Sequence, residues 1–225
     1  MKRILALLAI VVATQAQAQT APSASEIARY HGLHRAAHLG DAEGIRQLAA
    51  SGADLDARDA AGRTPAHVAA FASHDDALRA LAEAGADMNA LENRIYDVLT
   101  IAAVANDPEM VTLAMALGNR PDLITSVYDG TALIAAADLG YDDVVGRLIA
   151  GGAPLDHVNN LGWTALMEAV VLGDGGPDYV ATVRALVNAG ADTGIPDRDG
   201  VTPLQHADAR GYREIAEIIR SGSGN

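Results

Sequence analysis

The sequence predicts an all-α solenoid of about six stacked helix–turn–helix–hairpin units. Three observations lead there. A helix-starting threonine recurs at Thr64, Thr131, Thr164 and Thr202, and Asp97 fills the vacant place, so the intervals run 33, 34, 33 and 38 residues. A helix-ending glycine keeps step at Gly52, Gly85, Gly118, Gly152 and Gly190. Half of the 225 residues are hydrophobic, yet there are only one Trp, one Phe and six Tyr. The core is therefore built from Ala, Leu, Ile and Val, which let short helices approach closely. No unit of this size buries its apolar face alone, so the units must stack.

The elements justify themselves in order. Lys2-Arg3, the apolar run Ile4–Ala13 and Ala16-Gln17-Ala18 have the layout of an export signal cut after Ala18. The apolar run is shorter than the ~20 residues that span a bilayer, so no membrane insertion is expected after cleavage. There is no cysteine, which excludes a lipid anchor near the cut and any disulfide. A periplasmic location follows as the expectation, with secretion as the alternative. Residues 19–30 read as a linker and the start of an N-terminal cap, in which Ser23 and Glu26 have capping-box spacing. Ile27, Tyr30, Leu33 and Ala37 follow at helical spacing.

Each later unit repeats one paragraph, best seen in Ala61–Ala90. Gly62 makes the turn, Thr64 caps the first helix, and Pro65 has the backbone angle of a first helical residue. Asp75-Asp76 suits the positive end of the second helix, and Gly85 supplies a left-handed stop. The repeats fall at about 31–58, 59–91, 92–125, 126–158, 159–196 and 197–220, with 221–225 as a tail.

With GRTPAH and EAGADMNA in the second unit and DGVTPLQHADARGYREIAEII in the last, residues 31–220 resemble ankyrin repeats. LGWTALMEAVVLGDGGP and DRDGVTPLQHA are similar to a bacterial exported ankyrin-repeat group. The resemblance implies a non-enzymatic protein-interaction scaffold of the cell envelope. An effector or inhibitor acting outside the producing cell, and more remotely an enzyme or metal-binding protein, are the competing expectations. It also implies that His34 and His67, at one repeat position, hydrogen-bond between units. Two places depart from the pattern. The third unit has Ile95-Tyr96-Asp97-Val98 in place of the glycine turn and Thr-Pro, and the fifth carries an insertion, Asp174–Asp178.

Little else points to chemistry. The formal charge of −13, or −15 once Lys2 and Arg3 are removed, repels phosphate backbones and anionic membranes. The expected partner is a protein that is basic or bears a basic patch; no nucleic acid and no cofactor are expected, and the chain is expected to be a monomer. His31, His34 and His38 do not supply a tetrahedral zinc set, and the insertion lacks the acidic alternation of a calcium loop. No Gly-x-Ser-x-Gly or cysteine nucleophile exists.

In ankyrin repeats partners contact the hairpins and inner helices, which form a concave groove. Aligning the units places Arg63, Tyr96 and Trp163 at one hairpin position, and Arg94 and Tyr128 two residues earlier. Phe71 falls at the end of an inner helix, and Leu139 and Leu172 just after one. Aromatic residues and arginines are favoured at binding hot spots. These eight are the candidate partner-binding residues.

Overall fold

A computed structural model describes residues 19–222. The export signal expected over 1–18 lies outside the described residues, as do 223–225 of the expected tail; Ser221 and Gly222 belong to the last helix.

Thirteen helices and no strand are found among the described residues. Six form the inner layer: α2 (Gly32–Leu39), α4 (Pro65–Phe71), α6 (Val98–Val104), α8 (Ala132–Asp138), α10 (Ala165–Val171) and α12 (Pro203–Arg210). Each is followed by an outer helix: α3 (Ala42–Ala50), α5 (Asp75–Ala84), α7 (Pro108–Ala116), α9 (Asp142–Ala150), α11 (Pro177–Asn188) and α13 (Arg213–Gly222). Inner helices pack on inner helices and outer on outer, unit by unit, as expected for a solenoid. The remaining helix, α1 (Ala24–Ile27), has the Ser23–Glu26 capping box. The helical spacing that continues past Ile27 does not form one helix: α1 stops at Ile27, His31 is extended with φ −140° and ψ 171°, and α2 starts afresh at Gly32.

The recurring marker is the N-cap of every inner helix after the first. Thr131, Thr164 and Thr202 accept the amide of the third residue beyond, and Asp97 does the same for Thr100 at 2.8 Å. The vacant place is thus chemically filled. The side chain of Asn119 completes it, accepting the Leu99 amide at 3.0 Å and donating to Asp97 at 2.8 Å. Burial pushes the Asp97 carboxyl above its usual range despite these bonds.

Hairpins are closed by a second repeated device. Asp59, Glu92, Asn159 and Asp197 each turn a side-chain oxygen onto the amide four residues on, at 2.9, 3.2, 3.0 and 2.9 Å. Adjacent hairpins are then tied tip to tip through Asn93 to Ala61, Ser126 to Ile95 and Asn160 to Tyr128. At the opposite end, helix-terminal carbonyls take side-chain donors from the next unit: Tyr179 to Asp138 at 2.9 Å and Tyr212 to Gly173 at 3.0 Å. The Asp174–Asp178 insertion is absorbed as a tight turn, with Asp174 accepting the Gly176 amide, that runs into the first turn of the longer helix α11 at Pro177.

The histidines behave as the resemblance implies. His34 reaches the carbonyl of Arg63 at 2.9 Å, and His67 that of Tyr96 at 3.1 Å. The Nδ1 of His67 accepts the Thr64 amide, so Nε2 carries the proton it donates across the repeat boundary. Burial holds this ring neutral, with its pKa lowered to about 4. His38 is half-buried. No group of His, Cys, Asp and Glu suited to a metal, and no helix long and apolar enough to cross a membrane, occurs among the described residues.

Candidate partner-binding groove

The inner helices and hairpins of units three to five enclose a cavity of about 360 Å³ on the concave face. Small-molecule and anchor pockets start near this size. Its walls are mostly apolar: Val104 on α6, Ile134 and Leu139 from α8 and its end, and Leu161 and Leu172 from unit five. Tyr96 and Tyr128 close it from the hairpin side. Two carboxyl groups, Asp138 and Glu168, stand in this lining.

The cavity opens where the bridging histidine is missing. The third residue after the N-cap is His34, His67, Thr100, Ile134, Met167 and Gln205 along the six units. The two histidines fill the space to the next hairpin with a ring. Thr100 crosses it with a short hydroxyl, 2.8 Å from that of Thr125, and Ile134 fills it with an aliphatic group. Both line the cavity.

Glu168 sits one residue further along that register, where other units have Val68, Ile101, Ala135 and His206. It is 4 % exposed, and Asn159 donates to its Oε1 at 2.8 Å. In the last unit the equivalent pair is Asp197 and His206, 2.7 Å apart, so the two units use the same bridge with different partners. Burial is the main cause of the high pKa of Glu168, about 8, and the nearby charge of Asp138 adds to it, while Asn159 works the other way. The carboxyl is largely protonated at neutral pH.

Four of the eight sequence candidates, Tyr96, Tyr128, Leu139 and Leu172, meet in the cavity lining. Trp163 is 9 % exposed and packs with Met167 and Val171 in a small cluster apart from the main core, joined to the cavity through Leu161 and Leu172. Phe71 is half-buried against the main core, and Arg94 is exposed on the hairpin of unit three.

Arg63 requires correction. It is 2 % exposed and does not present a cation to a partner. Its Nε donates to Asp59 at 2.8 Å, its Nη1 to the Thr20 carbonyl at 3.2 Å, and its Nη2 to Glu26 at 2.5 Å. Asp59 also accepts the hydroxyl of Tyr30. Burial opposes the charge on Arg63, but these partners more than offset it and raise its pKa. The residue ties the segment from Thr20 to Tyr30 onto the second hairpin. Further along the same segment, Gln19 donates to the Thr100 carbonyl at 3.0 Å, which brings the described N-terminus to the cavity edge.

Exposed aliphatic side chains flank the lining residues in sequence. Ile95, Ile124, Val127 and Val158 are 41–59 % exposed, all in units three and four and each next in sequence to a residue of the cavity lining. Ile95 occupies the turn position held by Gly62, Gly162 and Gly200, and it adopts their left-handed conformation with φ 69°. For a β-branched residue that costs ~1–2 kcal/mol.

The chain matches the family model for ankyrin repeats (3 copies) over residues 29–92 and 99–195, and it belongs to the ankyrin-repeat family. Its relatives include the putative ankyrin repeat protein YahD of Escherichia coli, 32% identical over 186 residues, 82% of this chain and 92% of that protein. The solved ankyrin repeat domain from Acinetobacter baumannii is 41% identical, with a TM-score of 0.80 over 84% of this chain and 96% of that one. The ankyrin repeat domain of Bcl-3, a member of the IkappaB protein family, aligns with a TM-score of 0.77 at 26% identity, over 96% of this chain and 93% of that one. Ankyrin repeats are in general protein–protein interaction modules, typically without enzymatic activity.

Proposed function

We propose that this protein is an exported interaction scaffold of the bacterial cell envelope that holds a partner protein on its concave face. The observation that carries the reading is the 360 Å³ mostly apolar cavity in units three to five, whose lining residues have exposed aliphatic neighbours in sequence. Interfaces draw their energy from apolar anchors seated in such pockets, ringed by residues that exclude water. The strained, exposed Ile95 supports the same reading, because a glycine there would relieve the backbone. Mechanistically, a rigid groove offers the anchor a preformed seat, and the acidic surface speeds encounter with a basic partner. Export rests on the first eighteen residues and gives a periplasmic location.

Two experiments test this. The full chain carrying an affinity tag is expressed in a bacterium and its partner is cross-linked and captured from the periplasm. The double variant Leu139→Glu, Leu172→Glu, shown by circular dichroism to be folded, is expected to lose that partner. Retention of the partner at wild-type yield would refute the groove. Amino-terminal sequencing of the same material is expected to begin at Gln19, and a protein still starting at Met1 in the cytoplasm would refute export.

A further inference from the structure

The cavity is not a plain apolar socket, because two of its lining residues carry carboxyl groups at positions where at least three other units have apolar side chains. Glu168 replaces the Val68, Ile101 and Ala135 of other units, and Asp138 stands where they have Phe71, Val104 and Val171. Both changes fall in neighbouring units and on the same cavity. The two groups are close enough that the charge on one disfavours the charge on the other.

This lining sorts occupants by chemistry. A purely apolar anchor offers the carboxyl groups of the lining neither a hydrogen bond nor a counter-charge. An anion would meet like charge. A divalent cation needs more donors than two carboxyls, and the described residues hold no set of three ligand-type side chains. A monovalent organic cation on an apolar stem satisfies both halves of the lining. Between the two biological candidates, guanidinium is the less hydrated, spans two acceptors with its planar fork, and stacks on aromatic faces such as those of Tyr96 and Tyr128. A chain of formal charge −13 also draws basic segments towards it.

We propose that the cavity receives an arginine side chain presented by the partner protein, with its guanidinium at Asp138 and Glu168 and its stem against Ile134 and Leu172. The proposal rests on the groove reading above and names the partner's anchor. Seating the cation favours the ionised form of Glu168, so a proton leaves as the arginine enters.

The probe is N-hexylguanidinium, compared with the neutral isostere N-hexylurea, titrated into the full chain and followed by calorimetry and by the fluorescence of Trp163, which abuts Leu161 and Leu172. Hexylguanidinium is expected to saturate one site at least tenfold more tightly than hexylurea, with proton release that grows with the ionisation enthalpy of the buffer. Glu168→Gln with Asp138→Asn is expected to erase the preference. Equal binding of the two probes, or a preference that survives in the double variant, would overturn the arginine assignment. If the probes fail to discriminate while Leu139→Glu, Leu172→Glu still abolishes partner capture, the arginine assignment falls and the groove stands. If the probes discriminate while capture is untouched, it is the groove reading that falls.

Discussion

Replacing Glu168 by glutamine removes one proton-binding group from the core without changing its shape, and the effect on stability has a sign and a size. The carboxyl titrates at about 8 in the folded chain against a reference of 4.5. Its folded-state pKa is raised, so the folded chain holds a proton that the unfolded chain has released, and stability falls as pH rises from 4.5 to 8. At about 1.36 kcal/mol per pH unit the full cost of ionising it is about 5 kcal/mol, of which about 2 kcal/mol accrues between pH 6.5 and 8. His67 acts in the opposite sense. Its pKa is lowered from 6.5 to about 4, so stability is lost as pH falls through that interval, by about 3 kcal/mol in all. Between pH 4.5 and 6.5 the two slopes oppose one another. From these two groups the wild-type chain is expected to show a broad maximum in that range and to weaken towards pH 8; buried Asp97, its pKa also raised, acts in the same sense as Glu168 from 3.8 upward. Glu168→Gln keeps a hydrogen-bonding partner for Asn159 and carries no charge. The variant is expected to gain about 2 kcal/mol relative to wild type between pH 6.5 and 8. Urea unfolding followed by circular dichroism at half-unit pH steps measures this directly. Parallel curves for the two proteins across pH 5–9 would show that Glu168 is not titrating in a buried site.

Two further perturbations probe the ends of the groove. Arg63→Ala strands Asp59 and Glu26 and releases the segment bearing Thr20; a loss of about 3–5 kcal/mol in urea unfolding is expected, and a loss under about 1 kcal/mol would mean the guanidinium is solvated. Ile95→Gly relieves the left-handed strain and is expected to raise stability by about 1 kcal/mol while weakening partner capture, whereas a gain in both would count against Ile95 as a contact.

The fold was legible because its signals are local. A threonine N-cap or a stop glycine acts within three residues of itself, so its period survives in the sequence, and the interval alone placed Asp97 among the caps before its bond to Thr100 was seen. Arg63 misled for the opposite reason. Its role is set by Glu26 and Thr20, 37 and 43 residues earlier, and no periodic pattern carries that distance. Register mapping brought Tyr96, Tyr128, Leu139 and Leu172 to one place, because equivalent positions in stacked units must line one face. Glu168 escaped notice in TALMEA, where a lone glutamate reads as helix surface. The fourth residue after the cap varies along the chain, with Arg35 and His206 in the end units and Val68, Ile101 and Ala135 between them, so a carboxyl in an interior unit carries only a weak signal.

The same comparison explains why the cavity lies in the middle of the solenoid. His34 and His67, three residues after the cap, each reach the next unit's carbonyl, and His67 also binds its own cap, Thr64, so rings close the space between the first units. Thr100 and Ile134 give up that bridge, and the stack there must be held by other means. The Asp97–Asn119 network and the Thr100–Thr125 hydroxyl pair supply it at the edge, leaving the centre open. Buried polar groups are retained only where they are satisfied, so unit three, whose sequence looks degraded, is rebuilt around a different set of hydrogen bonds. Loss of the repeat signature without loss of its hydrogen bonds is the pattern expected where a unit has traded regularity for an opening. Restoring the ring with Thr100→His, at the cost of the hydroxyl pair, would place an imidazole at the edge of the cavity; partner capture should fall while the fold persists, and capture at wild-type yield with a folded chain would separate the opening from the function.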